Sequence, residues 1–274
     1  MKKQQTDEKR QCPKCGAEEE QINAGYNRSG TQRCVYMKCK HKYTPSGKNR
    51  VYLAEIREQA IKTYYSGVSG RGVGKLFGMS KANVYNWIKK TNKLWISQQT
   101  ACDIFELDEL YWFVGCKGQG ESRENVYVMT MTSREPRQIV GFSVAADKSR
   151  ERIQGIVDSA PDARKYCTDG YLGYIDIVYP GQHIRNVQTK NDTFTVEGIN
   201  ADIRHYIPVL ARKSRCFCRK IETLEAVLSV FINAYNKFGE AKLKYRIPSS
   251  HKSPAPDKHL HKYRDLPFSF LDFL

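Results

Sequence analysis

The sequence predicts an α/β protein in which a sheet domain follows two smaller segments. Four of the nine cysteines fall within the first 39 residues, which indicates a local metal-binding segment. Apolar residues then recur at helical spacing between residues 51 and 90. From residue 103 onward, three strand-like stretches are followed by a helix, a fourth strand and further helices, which indicates a sheet with flanking helices.

These observations divide the chain into five parts. We predict a cysteine-containing segment at 1–48, a helical segment at 49–92, a linker at 93–102, an α/β domain at 103–240 and a basic tail rich in proline and histidine at 241–274. The tail closes with an aromatic stretch from Leu266 to Leu274. This stretch is open to two interpretations, docking on the core of its own chain or on another subunit.

Composition favours a nucleic-acid partner. The formal charge of +16 and the pI near 9.4 indicate a polyanion partner, although a basic protein can simply be soluble. Hydrophobic residues make up 40% of the chain, enough for a real core. No run approaches the roughly 20 apolar residues of a membrane span, and the N-terminus is polar. We therefore expect a cytoplasmic protein without a membrane partner.

The first segment carries a zinc-binding pattern. Cys12 and Cys15 are separated by two residues and followed by Gly16, a spacing that directs two thiolates at one ion. Cys34 and Cys39 form a looser second pair. We predict a zinc ribbon with Cys12, Cys15, Cys34 and Cys39 as Zn²⁺ ligands, with His41 as a spare donor. The alternatives are a ribbon that has lost its metal and four free thiols.

The second segment predicts a helix-turn-helix, with helices near 51–65, 70–77 and 81–90. In the third helix, Val84, Trp87 and Ile88 face inward by helical spacing. Four residues remain free to contact the major groove of DNA: Lys81, Asn83, Tyr85 and Asn86. The alternative is a purely structural three-helix unit.

The third part predicts a sheet with flanking helices. Strands are expected near 103–115, 125–132, 138–144 and 164–168, helices near 150–159 and 193–207, and a long amphipathic helix from Ile221 to Phe238. The segment between the fourth strand and the helix at 193–207, with His183 and Lys190, is expected to be a loop. Asp108 lies within the first strand among apolar neighbours, where a carboxylate is costly unless it is paired or bound to a cation.

The helix at 193–207, which Pro208 should end, has two distinct stripes. One is apolar and consists of Val196, Ile199, Ile203 and Tyr206. The other is polar and consists of Glu197, Asn200 and Arg204. Taken alone, this pattern is also typical of an amphipathic surface helix with an internal ion pair.

Three carboxylates could share divalent cations. Asp108 lies in the first strand, Asp169 ends the fourth and Glu197 lies on the helix. Mg²⁺ prefers a few carboxylates plus water and substrate phosphate, and a pair of such ions can activate an attacking oxygen and stabilise the leaving one. Spacing alone does not single out these three, because other acids compete: Glu106, Glu109 and Asp202.

Four motifs resemble the transposases of the insertion sequence one family, members of the Asp-Asp-Glu superfamily. They are Leu107-Asp-Glu-Leu-Tyr-Trp-Phe-Val114, Cys167-Thr-Asp-Gly170, Phe194-Thr-Val-Glu-Gly-Ile-Asn-Ala-Asp-Ile-Arg204 and Leu210-Ala-Arg-Lys-Ser214. The resemblance implies a ribonuclease-H-like domain, a mixed five-stranded sheet with flanking helices, behind a zinc ribbon and a helix-turn-helix. In the family's ribbon a cysteine stands three residues before the last one, where this chain has Tyr36.

The resemblance also implies roles for individual residues. Asp108, Asp169 and Glu197 match the catalytic triad that holds Mg²⁺ or Mn²⁺. Lys190, Asn200, Arg204 and Arg212 match positions near the active site and the DNA path, and Asn200 is expected to orient Glu197 or a water. His183 resembles a histidine that the family carries before that lysine. Arg215 extends the basic run that begins at Arg212 and is expected to contact the DNA backbone.

The implied activity is DNA transposition: cutting of element ends and joining of the 3′-OH to target DNA by an assembly that is at least a dimer. Two alternatives stay open. One is a nuclease of the same fold, such as a junction resolvase. The other is a catalytically retired transposase that only binds DNA.

Overall fold

The computed structural model describes residues 12, 14–16, 21–28, 30–44, 52–91, 102–115, 123–187, 192–245 and 266–274. The chain divides into two compact units, Met1–Tyr52 and Leu53–Leu274. Lys190 and most of the expected linker and basic tail lie outside the described residues, so what was predicted for them stays a prediction.

The first unit is a small antiparallel sheet. Its strands are β1 (Gln21–Tyr26), β2 (Gln32–Tyr36) and β3 (Lys42–Tyr43), with β2 in the centre. Among the described residues of this unit, only Cys12, Cys34, Val35 and Tyr36 are buried hydrophobics. A core this small contributes little stability by itself.

Three short helices begin the second unit, close to the predicted positions. They are α1 (Ala54–Tyr65), α2 (Gly70–Leu76) and α3 (Lys81–Thr91). Gly74 of α2 allows the turn after the helix to pack closely against it, because a Cβ at this position would lie 2.6 Å from the carbonyl oxygen of Met79. Val84 and Ile88 of α3 are fully buried, as predicted. The Tyr65 hydroxyl donates to the carbonyl oxygen of Val227, 2.7 Å away, so these helices share a core with the sheet domain.

A mixed five-stranded sheet forms the centre of the second unit, as the resemblance implied. It comprises β4 (Ile104–Val114), β5 (Glu124–Ser133), β6 (Gln138–Ala145), β7 (Lys165–Thr168) and β8 (Gln182–Arg185), in the order β6-β5-β4-β7-β8. The first three are antiparallel neighbours, whereas β7 and β8 add in parallel. This arrangement fits a ribonuclease-H-like fold. The expectation of a loop around His183 was wrong, because β8 there completes the sheet.

Helices cover both faces of this sheet. They are α4 (Arg150–Asp158), α5 (Phe194–Tyr206) and α6 (Ile221–Tyr245). Phe105 and Leu107 of β4 pack in one cluster with α4, whereas Leu110 and Val114 pack in the other cluster with α5 and α6. Because side chains alternate along a strand, Asp108 faces the α5 side and Glu109 faces the α4 side.

The last residues of the chain dock on its own core. Phe270 is buried, and its ring centroid lies 4.6 Å from that of Tyr206 and 5.3 Å from that of Phe231. For the described residues 266–274, this decides between the two interpretations of the aromatic end. None of the described helices has the length and apolar character that crossing a membrane requires.

Candidate active site

Two aspartates from neighbouring parallel strands lie side by side. The register pairs Leu107 of β4 with Thr168 of β7, so Asp108 and Asp169 are the next residues along the two strands. A carboxylate oxygen from each, and one from Glu109, all lie within 4.8 Å of one another. The predicted convergence of Asp108 and Asp169 is therefore present.

A cleft of about 770 Å³ opens above these acids. The polar stripe of α5 forms one wall of it, with Glu197, Asn200 and Arg204 all lining the cleft. Glu197 accepts a hydrogen bond of 3.4 Å from the Thr193 hydroxyl. Its carboxylate shares the cleft but lies outside the close group formed by Asp108, Glu109 and Asp169. The third member of the predicted triad therefore lines the same cleft as the two aspartates.

Burial and two neighbouring acids disfavour the ionised form of Asp108. Burial raises the pKa of Asp108 to about 6, and the nearby charges of Glu109 and Asp169 add to the effect. Hydrogen bonds from the Glu109 backbone and the Asn200 side chain oppose the shift. A buried carboxylate held in this state gains from a bound cation, which removes the repulsion.

Asn200 orients Asp108, whereas the sequence led us to expect that it orients Glu197 or a water. Its Nδ2 donates to Oδ2 of Asp108 at 2.9 Å, and its Oδ1 accepts from the Thr130 hydroxyl at 3.2 Å. Asn200 is only 4% exposed. The two hydrogen bonds therefore connect Thr130 of β5, Asn200 of α5 and Asp108 of β4, and they orient the Asp108 carboxylate.

Glu109 is paired with a lysine that the sequence did not single out. The Lys148 ammonium lies 2.9 Å from Oε1 of Glu109 and 3.5 Å from the centroid of the Tyr171 ring. Burial opposes protonation of Lys148, but the hydrogen bond and charge of Glu109 outweigh it, so the pKa of Lys148 is raised. A paired carboxylate is less available to a metal ion.

The other competing acids have structural partners. Glu106 is fully buried and accepts from the backbone N–H groups of Thr195 (2.7 Å) and Val196 (2.9 Å), in the first turn of α5. Its second oxygen accepts from Arg134 at 2.7 Å. Asp202 accepts from the Tyr235 hydroxyl at 2.7 Å. Glu106 therefore fixes the end of α5 that carries Glu197.

Basic side chains lie along the same cleft. Arg204 and Arg212 line it, and burial and the charge of Arg212 lower the pKa of Arg204 while Asp108 raises it. Arginine stays protonated at neutral pH and can bind phosphate. Arg215 is exposed and does not line the cleft.

His183 lies on β8, behind the two aspartates. Its Nε2 is 2.9 Å from the Thr168 hydroxyl, and its ring stacks on Tyr179 at 4.3 Å. Burial and the charge of Arg185 lower the pKa of His183. The residue therefore supports the end of β7 as a neutral hydrogen-bonding group.

The donors in the cleft fit a hard divalent cation. All are carboxylate oxygens or their hydrogen-bonding partners, and such oxygen sets suit Mg²⁺ or Mn²⁺. The close approach of the Asp108 and Asp169 carboxylates is the observation that favours cation binding here.

A separate thiol cluster lies in the first unit. Sulfur atoms of Cys12, Cys15 and Cys39 lie within 4.8 Å of one another, a donor set that suits zinc. Cys34 does not join them, although the sequence predicted it as a ligand. Its Sγ is directed at Oδ1 of Asn23 on β1, 3.8 Å away.

The predicted DNA-reading residues of α3 divide into two groups. Lys81 and Asn86 are exposed and Asn83 is partly exposed, as expected. Tyr85 was expected to be free, but its ring packs on Tyr64 with centroids 5.7 Å apart. A Cβ at Gly70 would lie only 3.0 Å from that ring. Tyr85 is therefore partly buried in the core of the three helices rather than free as the sequence had predicted.

Sequence reasoning missed Lys148 and Thr130. Both depend on contacts between elements far apart along the chain, and neither lies in a motif. The one available signal was the apolar surroundings of Glu109, which imply that a buried carboxylate needs a cation.

Comparison with known families gives a match that covers the sheet domain. The family model described as IS1 transposase matches residues 101–238, just over half of the 274-residue chain. The match includes β4 through most of α6 and therefore all acids of the cleft. Comparison with curated proteins gives no match.

Proposed function

The chain belongs to the IS1 transposase family, and from this premise we propose that it cuts the ends of a mobile element and joins them to target DNA. In the first step, water attacks the phosphodiester at the element end, the P–O3′ bond breaks, and a 3′-OH is released. In the second step, that 3′-OH attacks a target phosphodiester, so one P–O bond forms and another breaks. Neither step needs a covalent link to the protein.

Asp108, Asp169 and Glu197 would hold Mg²⁺ or Mn²⁺ within the cleft. Such ions activate the attacking oxygen and stabilise the leaving oxygen of an in-line displacement. The support is the close approach of Asp108 and Asp169 and the presence of Glu197 in the lining of the same cleft. Glu109 stays with Lys148 and is not assigned as a ligand.

The other residues of the cleft would position the DNA. Asn200 would fix the orientation of Asp108 through its hydrogen bond of 2.9 Å to Oδ2. Arg204 and Arg212, which line the cleft, would bind the non-bridging oxygens of the scissile phosphate. Lys190 and Arg215 are proposed as outer contacts to the DNA backbone.

The two amino-terminal segments would hold the terminal repeats of the element. Lys81, Asn83 and Asn86 would face the major groove from α3 in a helix-turn-helix, and the cysteine unit would bind zinc as a ribbon. The net charge of +16 supports binding to the phosphate backbone. Joining two ends to one target requires at least two chains in the assembly.

The observation that carries the proposal is the pairing of Asp108 with Asp169 in a cleft walled by the Glu197 stripe of α5. The test is a cleavage and joining assay on the repeats that flank the gene, with and without Mg²⁺. We expect Asp169→Asn to abolish both products while DNA binding is retained. Asp176→Asn, a change at an exposed aspartate outside the cleft lining, is the matched control and should leave both unchanged.

The same assay separates the alternatives. A junction resolvase would cut branched DNA but join nothing. A retired transposase would bind the repeats and show no Mg²⁺-dependent cleavage. Either result would reject the proposal.

A further inference from the structure

The cysteine unit contains two turns in which a residue with left-handed backbone follows a cysteine. In the first, the N–H of Gly16 donates to the carbonyl oxygen of Cys12 at 2.9 Å, and Gly16 has a φ of +68°. In the second, the N–H of Tyr36 donates to the carbonyl oxygen of His41 at 3.1 Å, and Lys40 has a φ of +54°. Each turn thus has a left-handed residue directly after a cysteine, Cys15 or Cys39. A left-handed lysine is uncommon, which indicates that the turn around Cys39 is held in place.

These turns bring three thiols to one point. The Cys12 and Cys39 sulfurs lie 3.5 Å apart, and both lie within 4.8 Å of the Cys15 sulfur. Tetrahedral zinc with Zn–S bonds of about 2.3 Å needs sulfur–sulfur distances of about 3.8 Å. The three thiols therefore fit three corners of a zinc site with only small shifts.

Tyr36 stands where the fourth corner should be. Its position relative to Cys39 is the same as that of Cys12 relative to Cys15, three residues earlier. Its side chain is fully buried, and the ring stacks on Tyr43 with centroids 5.0 Å apart. A tyrosine at this position supplies no thiolate, so the second turn offers one sulfur ligand where the first turn offers two.

Cys34 cannot easily take that place. It lies two residues before Tyr36, which is about 7 Å along an extended strand. It is paired on both sides, with Asn23 of β1 and with Tyr43 of β3. Moving its thiol to the cluster would disrupt both ladders of the small sheet. Among the described residues of the unit, His41 also lies outside the group of mutually close donors.

We propose that zinc in this unit is bound by three thiolates, those of Cys12, Cys15 and Cys39, and that its fourth coordination position is open to water or a small anion. Cys34 is a structural thiol of the sheet. Because this proposal concerns the first unit alone, a test of it does not depend on whether the proposed transposition chemistry is correct.

The ligand set can be tested by measuring zinc content in the full-length protein after gel filtration. We expect wild type and Cys34→Ser to retain zinc at equal stoichiometry and Cys39→Ser to lose it. Cys216→Ser, in the other unit, is the control and should retain zinc. Loss of zinc from Cys34→Ser to the same degree as from Cys39→Ser would overturn the proposal.

The open position can be tested without any substitution. After Co²⁺ replaces zinc, the visible absorption spectrum of the wild-type protein should change on addition of azide, because azide enters the fourth position. Tyr36→Cys should bind zinc more tightly in competition with a chelator and should lose the azide response. A wild-type spectrum that azide does not change would show that the chain supplies a fourth ligand and would overturn the open position.

Discussion

Replacing Asp108 with asparagine should make the metal-free protein more stable. Burial raises the pKa of Asp108 from 3.8 to about 6, so the folded protein holds this proton more tightly than the unfolded chain does. Ionisation of Asp108 therefore costs folding free energy, and the cost develops as pH rises from about 4 to about 6. A shift of about 2 pH units corresponds to about 3 kcal/mol at neutral pH. Asparagine avoids this cost because it carries no charge. Its side-chain oxygen can still accept the hydrogen bond from Asn200.

The measurement is urea unfolding of wild type and Asp108→Asn in the presence of a chelator, at a series of pH values. The stability difference should be near zero at pH values around 4 and should reach about 3 kcal/mol in favour of the variant at pH values around 8. Excess Mg²⁺ should stabilise wild type and not the variant, because only wild type has the full set of carboxylates. Cleavage should be lost in the variant while binding to the element ends is retained.

Two results would refute this reasoning. If Asp108→Asn is less stable than wild type at neutral pH without metal, Asp108 is a structural residue. If the stability difference does not change with pH, the burial of the charge is not its cause. Asp176→Asn, at an exposed position, should show no pH-dependent difference and serves as the control.

Three further predictions concern other parts of the molecule. Asn86→Ala should weaken binding to the element's own ends by about 1–3 kcal/mol and leave binding to unrelated DNA unchanged in titrations at fixed salt; equal loss on both would reject base reading. Lys148→Gln should lower the free energy of unfolding by about 1–3 kcal/mol because Glu109 loses its cation, whereas Lys148→Arg should retain most of it in urea unfolding; equal loss in both variants would contradict a charge effect. Glu106→Ala should cost about 3–5 kcal/mol, because Arg134 and two helix amides lose their buried acceptor; a near-neutral result in the same assay would show that Glu106 does not anchor α5.

Periodicity predicted the elements well, because it depends on residues close together in sequence. The apolar stripe of α5 is buried at Val196, Ile199 and Ile203, and its polar stripe lines the cleft, both as expected. The strands β4 to β7 begin and end within one residue or so of their predicted positions. The short strand β8 was missed because its sequence, Gln-His-Ile-Arg, has one apolar residue and therefore no strand pattern, and only its pairing with β7 identifies it.

The contacts that each residue of a motif makes were harder to predict. Glu106, Asp108 and Glu109 lie within four positions, and the sequence left all three as candidates. In the structure, Glu106 accepts from α5, Asp108 joins Asp169, and Glu109 pairs with Lys148. The three carboxylates have different partners because each lies at a different position along β4 and on one or the other face of the sheet. Each therefore contacts the element that packs at that position.

The sequence by itself therefore determined the kinds of residue available to the site: carboxylates at the ends of strands, a polar stripe on one helix, and cysteines next to residues that permit tight turns. The tertiary structure alone decided which atoms come within bonding distance. Pairing between β4 and β7 placed Asp108 beside Asp169, and the ladders on both sides of β2 held Cys34 away from the other thiols. The physical reason is that local periodicity sets the direction of a side chain, whereas its partners are set by long-range strand pairing and helix packing.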